Sequence, residues 1–459
     1  MGETRREFVK KTVTGSLGIT LGAVGFSAAS YKRIQGANDK IMMSVIGIRG
    51  QGKGHMGRWG KLSANRNVLV KTLCDVDENL YPERINLMEE HQGVKPGTEW
   101  DMRKVFDDKE IDAVSFATPN HWHALGTIWA CQAGKHVYVE KPCTHNIWEG
   151  RKMIEAARKY DRIVQVGFQN RSINNIINAM DFLHNDGIGD VYLAKGLCYK
   201  PRDSFGISAD SEPPPGLHYD MWLGPAPQRP YNEKKGHYNW HWYWATGNGD
   251  TGNQGPHQFD IARWGLNKNE YPVNISSYGG IYGIDPKECS QETANTQTSL
   301  FSYSDGKMLE FETRGRYTGG ESILNIKIGN IFLGTEGWMA INGSTWVAFK
   351  KREKEPFAGS DMESAEDKNK ASAYLAAPGG TEHYANFIDA IRSGKHDDLN
   401  CDIKEGYYSS ALPLLANISY RLNRQLTFNG DTEEFVKDKE ANKMLSRDYR
   451  DPYVVPKKV

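Results

Sequence analysis

The chain has 459 residues, more than one hydrophobic core usually holds, so at least two domains are expected. Its 57 Lys and Arg residues balance 57 Asp and Glu residues, and this neutrality gives no electrostatic support for a nucleic-acid partner or an anionic membrane surface. The six cysteines show neither C-x-x-C pairs nor metal-ligand spacing, which argues against a disulfide framework and a zinc site.

The first 30 residues have the pattern of an export signal. Arg5 and Arg6 precede a weakly apolar, glycine-spaced run, and small residues at 27–30 offer a cleavage site. This pattern resembles a twin-arginine signal peptide, and the apolar run is too short and too polar for a stable membrane anchor. We therefore expect a signal over 1–30, a linker over 31–40, and an exported, periplasmic protein that uses the twin-arginine export machinery.

From Ile41 onward, short apolar runs alternate with amphipathic stretches. Strands are predicted at IMMSVI, VLVKTLCDVD, IDAVSFATP, HVYVEKP and RIVQVGF, with helical patterns between them. This alternation predicts an α/β domain over 41–168 with a doubly wound parallel sheet. Longer strands joined by turns follow, and two helical stretches come after them, so 169–459 are predicted to form an α+β domain with a large, mostly antiparallel sheet.

The stretch VIGIRGQGKGHMG contains a literal G-x-G-x-x-G that starts at Gly52. A phosphate-binding turn must begin where the first strand ends, however, and that strand should stop at Ile46. The sequence therefore favours a turn whose key positions are Gly47, Arg49 and Gly52. Because Arg49 stands where a residue without a side chain is usual, we expect its guanidinium to contact the phosphates and Gly50 to permit the close approach.

Asp75 ends the second predicted strand, in the stretch LCDVD. An acid at this position can accept hydrogen bonds from the ribose hydroxyls and disfavours a 2'-phosphate, which indicates NAD rather than NADP. The alternative is that Asp75 only caps a turn. Together, the glycine turn and the acid, each at the end of a predicted strand, indicate nucleotide binding.

Four motifs at later strand ends and helix starts resemble the Gfo/Idh/MocA oxidoreductases: ATPNHWHA, VEKP, GFQNRS and GNQGPHQFD. This resemblance implies a Rossmann domain followed by an α+β domain with an open-faced sheet, and a nicotinamide bound between them. It also implies a substrate contact at Arg171 and cofactor contacts at Thr118, Asn120, His123, Glu140, Lys141 and Gln169.

The same resemblance assigns the chemistry. Lys141 of the VEKP motif would point at the reacting carbon and polarise the substrate oxygen, and His257 would take the hydroxyl proton. The family has an aspartate where this chain has Asn253, which can orient a substrate but cannot titrate. Asp260 is expected to be structural, and His241, in the aromatic stretch HYNWHWYW, is expected to contact the substrate.

We therefore expect an exported NAD-dependent oxidoreductase that oxidises a secondary hydroxyl, at C3, of a sugar or glycoside. The cofactor should stay tightly bound, because no free dinucleotide pool exists outside the cytoplasm. Two alternatives remain open: a glycosidase that recycles NAD through transient C3 oxidation, and a catalytically silent sugar binder, prompted by Arg49 and Asn253.

Two further expectations concern metals and assembly. His121, His123 and His145 have no carboxylate partner at ligand spacing, so no metal site is expected. The family resemblance implies a homo-oligomer that pairs through the exposed face of the second sheet.

Overall fold

A computed structural model describes residues 39–316, 319–321, 325–343, 345–360 and 380–459. The expected signal peptide and most of the expected linker lie outside the described residues. Of the helices that the structure describes, none is both long enough and apolar enough to span a membrane.

The first sheet is wholly parallel and has the strand order β3-β2-β1-β4-β5-β6. The central strand β4 is buried at every position, as expected for a parallel sheet with both faces covered by helices. The predicted doubly wound sheet is confirmed. Its strands are β1 (Ile41–Ile46), β2 (Val68–Cys74), β3 (Gly97–Glu99), β4 (Ala113–Phe116), β5 (His136–Val139) and β6 (Val164–Val166), and its helices are α1 (Gln51–Leu62), α2 (Tyr81–Gln92), α3 (Met102–Asp107), α4 (Asn120–Gln132) and α5 (Ile147–Lys159).

The second sheet has ten strands among the described residues, in the order β14-β13-β12-β11-β7-β10-β9-β8-β15-β16. Only the β7–β10 pair is parallel in this part of the chain, which confirms the prediction of a mostly antiparallel sheet. The strands are β7 (Val191–Tyr199), β8 (Asn274–Gly280), β9 (Thr296–Ser302), β10 (Met308–Arg314), β11 (Ile328–Gly334), β12 (Gly337–Asn342), β13 (Thr345–Lys350), β14 (Ala358–Gly359), β15 (Leu426–Asn429) and β16 (Glu434–Phe435).

Seven further helices follow the first sheet in the described part of the chain, and the one over Glu382–Ser393 packs in the core of the first sheet's domain. They are α6 (Asn174–His184), α7 (Tyr219–Leu223), α8 (Gly249–Asn253), α9 (Gly255–Gly265), α10 (Glu382–Ser393), α11 (Ile403–Leu422) and α12 (Lys439–Lys443). Helix α9 lies directly on the sheet, where the Phe259 ring is 4.3 Å from the Phe311 ring of β10. A Cβ atom on Gly255 would lie 2.9 Å from Phe311, so a glycine at the start of α9 permits this close packing.

The glycine-rich turn joins β1 to α1 and fits the frame that starts at Gly47. Gly47 has a φ of +83°, and a Cβ atom there would lie 2.8 Å from the Ala117 carbonyl oxygen. A Cβ atom on Gly52 would lie 1.7 Å from the Gly47 carbonyl oxygen. By contrast, Gly57 lies inside α1 and has no atom closer than 3.8 Å to such a Cβ. The literal motif, Gly52–Gly57, therefore lies wholly within α1, and it shares only Gly52 with the turn.

Alanine substitutions distinguish the two frames. We expect Gly47→Ala and Gly52→Ala to lower the unfolding free energy by about 1 kcal/mol or more, because the added methyl group meets backbone atoms. Gly57→Ala should instead leave stability unchanged or raise it by about 0.5–1 kcal/mol, since alanine is favoured inside a helix. Urea unfolding of the three variants checks this, and the opposite ranking would contradict the Gly47 frame.

Candidate active site

The glycine turn is held from behind by Asp75. Its carboxylate accepts hydrogen bonds from the backbone N–H groups of Ile48, at 2.7 Å, and Asp77, at 2.9 Å. Burial raises the pKa of Asp75 to about 6, and the two N–H groups act in the opposite direction. Asp75 thus lies at the end of β2 beside the turn, where a ribose acceptor is predicted, and it also fixes the shape of the turn.

Arg49 is turned toward an acid. Its guanidinium forms an ion pair with Asp77, and its side chain is 42% exposed. The carbonyl oxygen of the preceding residue, Ile48, accepts a hydrogen bond from Arg84 at 2.8 Å. A phosphate contact from Arg49, as the sequence predicts, requires the guanidinium to leave Asp77 or to share it.

Two buried polar atoms beside the turn have no hydrogen-bond partner among the described residues. They are the Thr118 hydroxyl, just after β4, and the side-chain nitrogen of Asn120, the first residue of α4. Buried polar groups are normally satisfied, so these two call for a ligand or solvent. A glycine-rich turn, a helix N-terminus and unsatisfied polar groups together fit the pyrophosphate and ribose of a dinucleotide.

His123 lies against two backbone carbonyl groups. It is buried in α4, and its two ring nitrogens lie 2.9 Å from the Thr118 carbonyl oxygen and 2.7 Å from the Pro142 carbonyl oxygen. Burial lowers the pKa of His123, so its neutral ring donates to one of these two carbonyl oxygens. His123 thereby lies between the loops that follow β4 and β5, and the cofactor contact predicted for it stays a prediction.

Glu140 is the most connected side chain of the site. Its buried carboxylate accepts hydrogen bonds from His55, Gln51 and Gln169, each at 3.0 Å, and from the Lys141 backbone N–H at 3.2 Å. Burial opposes ionisation of Glu140, but the hydrogen bonds from His55 and Gln51 and the charge of Lys141 outweigh it and hold its pKa well below the usual range. Gln169, for which a cofactor contact is predicted, donates one of these hydrogen bonds to Glu140.

His55 was not singled out by the sequence analysis. It lies one helical turn after Gln51 on α1, so both side chains face Glu140. Its second ring nitrogen lies 2.8 Å from the Ser115 hydroxyl of β4. The sequence shows His55 as a histidine within the literal glycine motif, but its partner Glu140 lies 85 positions further along the chain.

Lys141 and His257 lie on different elements that a hydrogen bond from Lys141 brings together, and the region around these two residues is called the Lys141 cleft below. The Lys141 Nζ atom donates to the carbonyl oxygen of Asn253 at 2.9 Å, at the end of α8, and His257 follows in the first turn of α9. Burial lowers the pKa of Lys141. Burial and the charge of Lys141 lower the pKa of His257 to about 3, so its imidazole is neutral at pH 7. The contact of Asn253 with Lys141 uses its backbone oxygen.

His241 lies in the same cleft. Its ring stacks on Trp240 at 3.6 Å, its Nδ1 atom is 2.6 Å from the Tyr238 carbonyl oxygen, and burial lowers its pKa to about 3. The charge of Lys141 contributes to that shift. Lys200, which follows β7 and which the sequence analysis missed, acts in the same direction on Lys141 and His257.

Arg171 forms a buried ion pair with Asp260 of α9. Its Nη2 atom is 2.8 Å from one Asp260 carboxylate oxygen and its Nε atom is 2.9 Å from the other, while Ser409 donates to Asp260 at 2.6 Å. The Arg171 guanidinium therefore anchors α9, and the substrate contact predicted for Arg171 stays a prediction. This ion pair agrees with the structural role expected for Asp260.

Among the histidines considered as metal ligands, His121 and His123 have ring nitrogens that lie against backbone carbonyl oxygens. His121 has its ring nitrogens 3.0 Å and 3.3 Å from the carbonyl oxygens of Trp222 and Thr246. The described residues contain no group of three His, Cys, Asp or Glu side chains that could hold a metal ion.

The sequence matches two family models. The first is the GFO_IDH_MocA oxidoreductase family, NAD-binding Rossmann fold, over 43–168. The second is the C-terminal alpha/beta domain of the same oxidoreductase family, over 207–322 and 362–455.

Curated relatives match over part of their length. Levoglucosan dehydrogenase of Pseudarthrobacter phenanthrenivorans is 33% identical over 96 residues, 21% of this chain and 25% of the relative. Myo-inositol 2-dehydrogenase of Thermotoga maritima is 28% identical over 181 residues, 37% of this chain and 50% of the relative. A glycosyl hydrolase family 109 protein of Shewanella pealeana is 26% identical over 171 residues, 34% of this chain and 37% of the relative. The chain thus spans half or less of these relatives.

Solved structures share the fold over most of the chain. Aldose-aldose oxidoreductase from Caulobacter crescentus, complexed with glycerol, has a TM-score of 0.61 at 15% identity and covers 85% of this chain and 100% of its own. Levoglucosan dehydrogenase in complex with NADH and levoglucosan has a TM-score of 0.61 at 17% identity, with coverages of 84% and 98%.

Asp75 provides a test of cofactor choice. In Asp75→Asn the charge that repels a 2'-phosphate is gone and one ribose acceptor is lost, so NAD should bind more weakly and NADP more tightly. We expect the ratio of the two dissociation constants to move toward NADP by about tenfold, measured by calorimetry on protein stripped of cofactor. Glu83→Gln, at an exposed acid of α2, is the matched control. An unchanged ratio in Asp75→Asn would contradict the ribose contact.

Proposed function

Because the chain belongs to the Gfo/Idh/MocA oxidoreductase family, with its NAD-binding Rossmann fold, we propose that it oxidises a secondary hydroxyl of a sugar or glycoside with NAD. The position oxidised in this proposal is C3 of a pyranose. Similarity to levoglucosan dehydrogenase and myo-inositol 2-dehydrogenase supports a carbohydrate substrate.

The observation that carries the proposal is the placement of Lys141. Its Nζ atom reaches the end of α8, 2.9 Å from the Asn253 carbonyl oxygen, while its own backbone is bonded to Glu140 beside the glycine turn. A cation is thereby held between the elements predicted to bind the cofactor and the helix that carries His257. A substrate oxygen bound by this cation would lie beside the elements predicted to hold the nicotinamide, which would accept a hydride from the neighbouring carbon.

The residues divide the chemistry between them. Bound nicotinamide supplies an acceptor for the hydride that leaves the substrate carbon. The neutral imidazole of His257 takes the hydroxyl proton. Lys141 turns its Nζ hydrogen bond from the Asn253 carbonyl to the substrate oxygen and stabilises the developing negative charge. Buried surroundings strengthen both interactions, because water does not screen them.

A second candidate is a glycosidase that uses the same redox step twice. Similarity to a glycosyl hydrolase family 109 protein favours it. In that cycle C3 is oxidised, the acidified C2 proton is removed, the glycosidic substituent is eliminated, water adds and the C3 ketone is reduced again. The hydride returns to the sugar, so the net reaction is hydrolysis. The third candidate is a silent sugar binder, which the replacement of the family aspartate by Asn253 prompts.

Export, tight cofactor retention and assembly belong to the same proposal. The arginine pair at 5–6 supports twin-arginine export to the periplasm, and a cofactor carried there in the folded protein must stay bound between turnovers. Exposed Tyr278 and Leu300 lie on the neighbouring strands β8 and β9 and share one face of the second sheet, and they support a homo-oligomer that pairs through this face.

Product analysis distinguishes the three candidates. Purified protein is first denatured and the released small molecules are identified by mass spectrometry, where we expect NAD. The folded protein is then incubated with p-nitrophenyl glycosides and with free sugars. A keto sugar formed together with reduced cofactor supports the dehydrogenase, and release of p-nitrophenol without net reduction supports the glycosidase. A protein that binds neither NAD nor NADP would contradict both.

The pH dependence follows from the two cleft residues. Because the pKa of His257 falls from 6.5 to about 3, its imidazole remains a proton acceptor throughout the mildly acidic range. With saturating cofactor, we expect kcat/KM to show no inflection near pH 6.5 and to fall only in strong acid. On the alkaline side, activity should be lost as Lys141 deprotonates, and the midpoint of this loss should lie below pH 10.5, because burial lowers the pKa of Lys141 from that value. A pH–rate profile measures both limbs, and an acid limb near 6.5 would contradict this assignment.

A further inference from the structure

A second cavity lies at the start of α8, whereas Lys141 contacts the end of that helix. Its volume is about 400 Å³. The walls come from the loop after Lys141 and Pro142, from the stretch before α8, from α11 and from the segment that includes the end of α12 and Arg447. This volume falls within the range of small-molecule sites.

The charge of this cavity is one-sided. Arg421, Lys443 and Arg447 line it, and no Asp or Glu does. Arg447 is already paired with the buried Glu149 at 3.0 Å. Arg421 lies 4.9 Å above the ring of Trp244, and none of the carboxylates that the structure describes lies within 4.0 Å of its guanidinium. The Glu292 carboxylate, which accepts from the Trp244 backbone N–H at 2.8 Å, acts on Arg421 from beyond ion-pair distance, so the guanidinium can still take a bidentate anion.

The interior of the cavity offers polar atoms that the protein does not satisfy. Asn248 is 6% exposed, and its side-chain nitrogen has no hydrogen-bond partner among the described residues. The Nε2 atom of His145 is also buried and without such a partner. Both side chains line the cavity, so they present a donor and a ring nitrogen to its contents. Unsatisfied buried polar groups of this kind point to a ligand or to ordered solvent.

Other parts of the wall are aliphatic. Ile147, Leu414 and Ile418 contribute to the lining beside the polar residues. A bare inorganic anion would leave this surface without a contact. A ring with a C–H face, several hydroxyl groups and one anionic substituent would use the aliphatic surface, the polar atoms and the cation together.

We propose that this cavity binds a carboxylated monosaccharide. The carboxylate pairs with the planar fork of Arg421, the hydroxyls bond to Asn248 and His145, and the C–H face lies against the aliphatic wall. The site is separate from the Lys141 cleft and does not depend on the reaction proposed there, so its occupancy is measured as binding, without turnover.

Isothermal titration calorimetry of the full chain, loaded with its cofactor, tests the proposal with D-glucuronate as the probe. D-glucose is the neutral counterpart, since only the C6 substituent differs, and inorganic phosphate is the probe for a general anion site. We expect glucuronate to bind with a dissociation constant in the millimolar range or below, and both other probes to bind about tenfold more weakly or not at all.

Variants locate the site. Arg421→Gln should weaken glucuronate binding about tenfold or more, because a charge-assisted bidentate bond is lost. Asn248→Ala should weaken the binding of glucuronate, and any residual binding of glucose, because a hydrogen bond to a sugar hydroxyl is lost. The matched control is Arg424→Gln, since Arg424 follows Arg421 by three positions but pairs with Asp438 at 2.9 Å and does not line the cavity. Lys141→Met should retain glucuronate binding.

Several results would overturn the proposal. Absence of glucuronate binding, equal binding of glucose, or equal binding of phosphate would each do so. Unchanged affinity in Arg421→Gln would also contradict it, provided that circular dichroism shows this variant to be folded. Loss of binding in Lys141→Met would place the probe in the other cleft.

Discussion

The rest of the site depends on the hydrogen bonds around the buried carboxylate of Glu140. A buried anion is stable only when hydrogen bonds and opposite charges replace water around it. Glu140 meets this need with Gln51 and His55 from α1 and with Gln169 after β6. It thereby joins the helix that follows the glycine turn to the strand end that carries Lys141. The proposed cofactor turn and the proposed catalytic lysine are fixed relative to each other by one charge.

Two further polar contacts connect this part of the site to the helices that pack on the second sheet. The bond from Lys141 to the Asn253 carbonyl connects the end of β5 to α8, and the buried pair of Arg171 and Asp260 holds α9 against the turn after β6. The aromatic contact of Phe259 with Phe311 then seats α9 on the sheet. His257 and Lys141 are brought to one cleft by these contacts, although 116 positions separate them in the sequence.

The sequence predicts well what local chemistry determines. The end of β1 and the frame of the glycine turn follow from which residues can pack in a strand and from where a side chain cannot fit. The sequence does not determine which distant group a polar side chain contacts. Arg171 pairs with Asp260, 89 positions away, and His123 lies against the Pro142 carbonyl oxygen, 19 positions away. Neither pairing follows from the local pattern. The role of His55 was not predicted for the same reason: its partner Glu140 directly follows β5 and lies 85 positions further along the chain.

We propose that Lys141 and His257 assist the removal of a hydride from a sugar carbon, with a nicotinamide as its acceptor. A p-nitrophenyl glycoside that carries deuterium at C3 tests this, with the bound cofactor analysed by mass spectrometry after rapid denaturation. We expect reduced cofactor that carries one deuterium, for net oxidation and for the redox-neutral cycle alike. Cofactor that never acquires deuterium, while the glycoside is consumed, would contradict it.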